Sequence, residues 1–84
     1  MNLYHKKYEP VKAVQWNPGV KVSNLPTGWY VEEQKSPITQ QIFLRVEKNG
    51  MKDYAEPGDY VVVTDKRVDV YSASLFENEF ELVN

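Results

Sequence analysis

The sequence predicts a small, mainly β protein, an antiparallel barrel or rolled sheet of about six short strands with one short helical turn near residues 73–77. Three observations carry this reading. Short runs rich in Val, Ile, Tyr and Trp alternate with Pro- and Gly-containing turn signals. Asn49-Gly50, the preferred pair for a two-residue type I′ turn, joins two alternating segments. Pro57-Gly58-Asp59 runs straight into Tyr60-Val61-Val62-Val63-Thr64, whose successive aliphatic residues point to a central strand covered on both faces.

Taken in order, residues 1–7 read as a polar arm of a single domain spanning 1–84. Tyr8 to Trp16 reads as the first strand. Val11 and Ala13 share one face and Val14 and Trp16 the other, so either both faces are partly covered or a bulge near Pro10 shifts the register. Asn17-Pro18-Gly19 is a turn, Val20 to Leu25 an irregular crossover or one helical turn, and Pro26-Thr27-Gly28 its end. Trp29 to Glu33 resumes an extended pattern, with Trp29 and Val31 on one face and Tyr30 and Glu32 on the other. Gln34 to Gln40 is a surface loop.

The next hairpin is the most explicit. Ile42, Leu44 and Val46 face inward while Phe43, Arg45 and Glu47 face outward. A type I′ turn pairs Lys48 with Met51, Glu47 with Lys52 and Arg45 with Tyr54, where the guanidinium can lie on the ring. Each cross-strand pair of this kind is worth about 0.2–1 kcal/mol. The same register sets Asp53 opposite Val46, which requires an open end of the sheet or a longer loop. A two-residue turn at Lys66-Arg67 puts Val61, Val63, Val70 and Ser72 on one face, and Tyr60, Val62, Asp69 and Tyr71 on the other. Ser72 to Ser74 can cap the helical turn over Leu75, Phe76 and Glu77, and Glu79 to Val83 closes the chain as a strand.

Composition narrows function. The chain has no Cys, which removes disulfides and thiolate chemistry. Ten Lys and Arg against twelve Asp and Glu leave a net charge of −2, so a phosphate-neutralising face and a nucleic-acid partner are not expected. No apolar run is long enough for a membrane, and no apolar segment follows the charged first residues, so a cytoplasmic protein without signal peptide is expected. With 84 residues the core is small, which favours homo-oligomerisation. His5 is the lone histidine, and it lacks partners for a triad or a metal site. Glu79 and Glu81 read as a solvated edge, and Asp65 and Asp69 as partners of Lys66 and Arg67. No catalytic residue, cofactor or metal is expected.

Aromatic content is the positive signal. Six Tyr, two Trp and three Phe exceed what one small core encloses, so some lie at an interface. The outward set Phe43, Arg45 and Tyr54 suits protein contacts, stacked bases or a phosphorylated small molecule, unless the Val20 to Leu25 crossover covers it. Trp29 and Tyr30, next to the Pro26-Thr27-Gly28 turn, form a second set that belongs either to the core or to an interface.

Read as a whole, the chain resembles a family of small phage and prophage proteins. The shared elements are a strand ending in Ala13-Val14-Gln15-Trp16, then Pro57-Gly58-Asp59-Tyr60-Val61-Val62 with a tight reversal. They continue with Ser74-Leu75-Phe76-Glu77 and an aromatic, here Phe80, before the final strand. Residues 20–51 match only weakly. The resemblance implies a virus-encoded protein of the host cytoplasm and brings no catalytic residue. The expected function is a non-enzymatic accessory protein that binds a host or phage protein through its aromatic sheet face. Two alternatives are an oligomer that sequesters a nucleotide-like signal with Arg45, Lys66 or Arg67, and a minor virion component.

Overall fold

In a computed structural model of the chain, residues 1–6 and 9–82 are described, without the side chains of 5, 6, 9, 10 and 82. Tyr8, Val83 and the His5 side chain therefore lie outside the described residues. In chain order the elements are β1 (Asn2–Lys6), β2 (Glu9–Gln15), β3 (Tyr30–Lys35), β4 (Ile42–Lys48), β5 (Met51–Ala55), β6 (Tyr60–Val63), β7 (Val68–Tyr71), helix α1 (Ala73–Glu79) and β8 (Glu81–Leu82). They make a five-stranded sheet ordered β7-β6-β2-β1-β8 and a three-stranded sheet ordered β3-β4-β5. Every pairing is antiparallel. The protein is mainly β, and the two sheets are separate ladders with no closed barrel among the described residues.

The Pro-Gly-Asp strand is central, as its composition predicts. All four residues of β6 are buried, between β7 and β2. Val61 and Val63 enter a core between the sheets with Trp16, Leu44, Val46, Ala55 and Val68. Tyr60 and Val62 enter a second core with Ala13, Phe76 and Phe80. The same division settles β2, whose two faces are both covered: Ala13 joins the second core, while Val14, and Trp16 just past the strand, join the first. The turn before β6 is locked to β2. Gly58 N–H donates to the Trp16 carbonyl at 2.8 Å, and Trp16 N–H donates to the Asp59 carbonyl at 2.7 Å. The Asp59 carboxylate closes the turn by accepting from Glu56 N–H at 2.9 Å. Gly58 has φ 99°, a left-handed conformation in which a side chain is strained.

The β4–β5 hairpin has the expected register, with Lys48 opposite Met51, Glu47 opposite Lys52 and Arg45 opposite Tyr54. Asn49 and Gly50 both have positive φ, as a type I′ turn requires. Asp53 stays opposite Val46 because that end of β5 is open to solvent.

Four expectations are corrected. The polar arm is a strand: β1 pairs with β2 and β8, and the Tyr4 ring meets Phe76 edge-on at 4.8 Å. Its local sequence carries only Leu3 and Tyr4 as apolar signal, and the pairing that makes it a strand comes from distant residues. The β6–β7 reversal turns at Asp65-Lys66, with Val63 opposite Val68. Thr64 fixes it there, its Oγ1 accepting from Lys66 N–H at 3.3 Å and Arg67 N–H at 3.2 Å. The shift is by an even number of residues, so the faces are unchanged. The helical turn is longer, running to Glu79, because Ser72 caps it and Phe76 N–H and Phe80 N–H continue its bonding. That leaves Glu79 on the helix and shortens the last strand.

Burial also predicts a pH dependence. Desolvation first, then the neighbouring Tyr4 and Glu77, raise the Tyr60 phenol above its ordinary value. The unfolded chain loses this proton first, so the stability it supplies is complete below about pH 10 and falls as pH rises further. Urea midpoints compared on either side of pH 10 should drop more for the wild type than for Tyr60→Phe.

Candidate functional site

The side chains that could form a site gather on the outward face of the three-stranded sheet. Because β3 and β5 flank β4 in fixed register, Tyr30, Glu32 and Gln34 stand opposite Glu47, Arg45 and Phe43, with Tyr54 across from Arg45. The opposite face, carrying Leu44 and Val46, is the floor of the inter-sheet core. The crossover does not cover the outward face. Val20, Val22 and Leu25 pack against the inter-sheet core instead, which leaves Tyr30 43% and Tyr54 49% exposed.

Arg45 is the hinge of the face. Its guanidinium lies over the Tyr30 ring at 5.9 Å, not over Tyr54 as the register alone suggested. It pairs with Glu32 at 3.3 Å and approaches Glu47 at 3.5 Å. The carboxylate of Glu32 draws it toward β3, and Tyr54 turns to meet Phe43 edge-to-face, with ring centroids 5.5 Å apart. Arg45 Nε and Glu47 Oε1 are buried and, among the described residues, have no hydrogen-bond partner, facing each other only as the 3.5 Å ion pair. Hydrogen bonding to the Glu47 carboxylate, followed by desolvation, raises the Tyr30 phenol above its ordinary value.

The two other expected sets divide. Trp29 is half-buried and packs on the inter-sheet core, with Lys48 Nζ 5.9 Å from its ring, whereas Tyr30 joins the outward face. Lys66 and Arg67 lie at the β6–β7 turn of the other sheet, where Arg67 pairs with Asp69 at 2.9 Å. One chain therefore does not bring Arg45, Lys66 and Arg67 together on a single sheet.

Beside Phe43 and Tyr54 a groove of about 380 Å³ opens toward the β3–β4 loop, lined also by Gln34, Gln41, Ile42 and Glu56. Sequence reasoning assigned Ile42 to the interior and left Glu32 and Glu56 without a role. Ile42 keeps the phase of Leu44 and Val46 but is exposed as the first residue of β4. Glu32 is placed by the β3–β4 register, which a loop of this length does not dictate, and Glu56 by the turn that follows β5.

These features define a small two-sheet antiparallel β protein with an open aromatic face. Comparison with protein-family models, with curated proteins and with solved structures found no match.

Proposed function

We propose that this chain is a non-enzymatic, phage-encoded accessory protein that binds a host or phage protein through the outward face of its three-stranded sheet. The observation that supports this most is the outward group Tyr30, Phe43, Arg45 and Tyr54, with both tyrosines exposed and Phe43 and Arg45 half-buried, held on rigid strands rather than loops. Tyr and Arg supply large contact area and oriented donors, and they dominate binding energy at protein interfaces. In this reading the two sheets form a rolled scaffold over their shared core, and small size favours a homo-oligomer. The phage-type pattern at the two ends of the chain supports the host cytoplasm as the compartment. Among the described residues no helix is long and apolar enough to cross a membrane.

The test is capture of the partner by cross-linking to the tagged protein. Arg45→Ala and Tyr54→Ala should each weaken capture about tenfold or more while the thermal midpoint stays within a few degrees. Capture at the wild-type level by both variants would remove this face from the account.

The nucleotide alternative is weaker in this geometry, since Arg45 is paired with Glu32 and Arg67 with Asp69. A thermal-shift screen against mono-, di- and cyclic nucleotides is expected to show no change. Saturating ligand at a hundredfold excess over its Kd would add about 2.7 kcal/mol, so a clear shift would favour that alternative.

A further inference from the structure

The groove beside the aromatic pair defines the chemistry of an occupant. We infer that it receives a proline-rich, polyproline-II segment of the partner protein carrying one basic residue beside its apolar anchors. This inference rests on the proposed binding face and names the kind of segment that fits it.

The groove crosses the sheet. Its lining takes Gln34 from β3, Ile42 and Phe43 from β4, and Tyr54 from β5. A segment lying there cannot add itself as another strand, because strand addition uses the backbone of a sheet edge. It must bring a backbone that needs no ladder partner. An α-helix and polyproline II both meet that condition, but only polyproline II leaves its carbonyls free for donors on the rim. It has no internal hydrogen bonds, is already extended, and presents apolar rings to aromatic grooves. The floor offers such a surface in Tyr54 and Phe43, edge-to-face with centroids 5.5 Å apart, while Ile42, the first residue of β4 and 37% exposed, borders the groove at its loop end. The amides of Gln34 and Gln41 on the rim supply donors for the carbonyls of a proline-rich backbone.

Charge selects the flanking residue. Among the described residues Glu56 is the one ionisable group lining the groove apart from the Tyr54 phenol, and no cation lines it. The neighbouring carboxylate of Glu32 is 55% exposed even while paired with Arg45. An arginine or lysine next to the apolar anchors completes this pattern, and an acidic segment is repelled.

The walls are preformed. Ser36 Oγ accepts from Ile38 N–H at 3.3 Å and Thr39 N–H at 3.2 Å, and Ser36 N–H donates to the Gln41 carbonyl at 2.9 Å. On the other side Glu56 is held by Asp59. Binding therefore orders little of the protein itself.

The test uses the full chain and a fluorescein-labelled proline–leucine peptide with one arginine, read by anisotropy, against the same peptide with glutamate in place of arginine. Saturable binding is expected for the arginine peptide. Tyr54→Ala should weaken it about tenfold or more. Glu56→Gln should weaken it about two- to fivefold and erase the preference over the glutamate peptide. Glu56 is exposed, so this variant keeps the test open if Tyr54→Ala destabilises the chain. Binding indifferent to both substitutions, or no saturable binding at millimolar peptide, overturns the inference. If peptide binding fails while Arg45→Ala still abolishes partner capture, the face stands and this occupant is wrong.

Discussion

Phe76→Ala is expected to destabilise the protein by about 3–5 kcal/mol. Phe76 is 1% exposed and stacks between Tyr60 at 4.0 Å and Phe80 at 4.5 Å. The edges of Tyr4 and Tyr71 close the remaining sides. One side chain therefore ties α1 to β6, β1 and β7. Four aromatic neighbours cannot collapse into the space its ring leaves, which puts the cost at the upper end for an apolar truncation. Against a total of about 5–15 kcal/mol for a domain, the loss is large. For a chain of this size it corresponds to a fall of at least about 12 °C in the thermal midpoint. Leu75→Ala, one residue earlier and 48% exposed, is the control and should cost less than about 1 kcal/mol. Similar midpoints for the two variants would show that the helix is not part of the core.

Trp16→Ala should cost as much, about 3–5 kcal/mol, for a different reason. Trp16 is fully buried just past the end of β2, where its backbone also carries two hydrogen bonds to the Pro-Gly-Asp turn. Its ring fills the space between the sheets beneath Leu44 and Val46, the inward neighbours of Phe43 and Arg45. Truncation loosens the floor on which the outward face is laid. Trp16→Phe should be far milder. The indole Nε1 is buried with no hydrogen-bond partner among the described residues, and such a donor carries a desolvation cost of about 1–3 kcal/mol. Phenylalanine loses part of the ring but removes that donor, so a net change within about 1.5 kcal/mol is expected. If Trp16→Phe is as damaging as Trp16→Ala, the indole N–H is being satisfied and its ring is positioned by that bond.

What the sequence made legible was local chemistry. Asn49-Gly50 specified its own turn, and with it every pair from Lys48–Met51 to Arg45–Tyr54. Successive valines in β6 announced two buried faces, and Ser72 announced the start of α1. What remained hidden depended on residues far apart in the chain. β1 looks polar because its strand character comes from pairing with β2 and β8. The two-residue shift at Asp65-Lys66 depends on the Thr64 hydroxyl, which competes with the charge pattern of the turn. The outward face was legible as a set of residues but not as a surface. Whether the crossover lay over it was a question of tertiary packing, and Arg45 chose Tyr30 over Tyr54 because Glu32 stands on its other side.

The central claim is that the uncovered aromatic face of the three-stranded sheet is where a partner docks. Amide and side-chain NMR shifts of the isotopically labelled protein, followed as the cross-linked partner is added in purified form, test it most directly. Perturbations should concentrate at Tyr30, Phe43, Arg45 and Tyr54 and spare the β6–β7 turn. Shifts centred on Lys66, Arg67 and α1, with the Phe43 and Tyr54 rings unmoved, would contradict it.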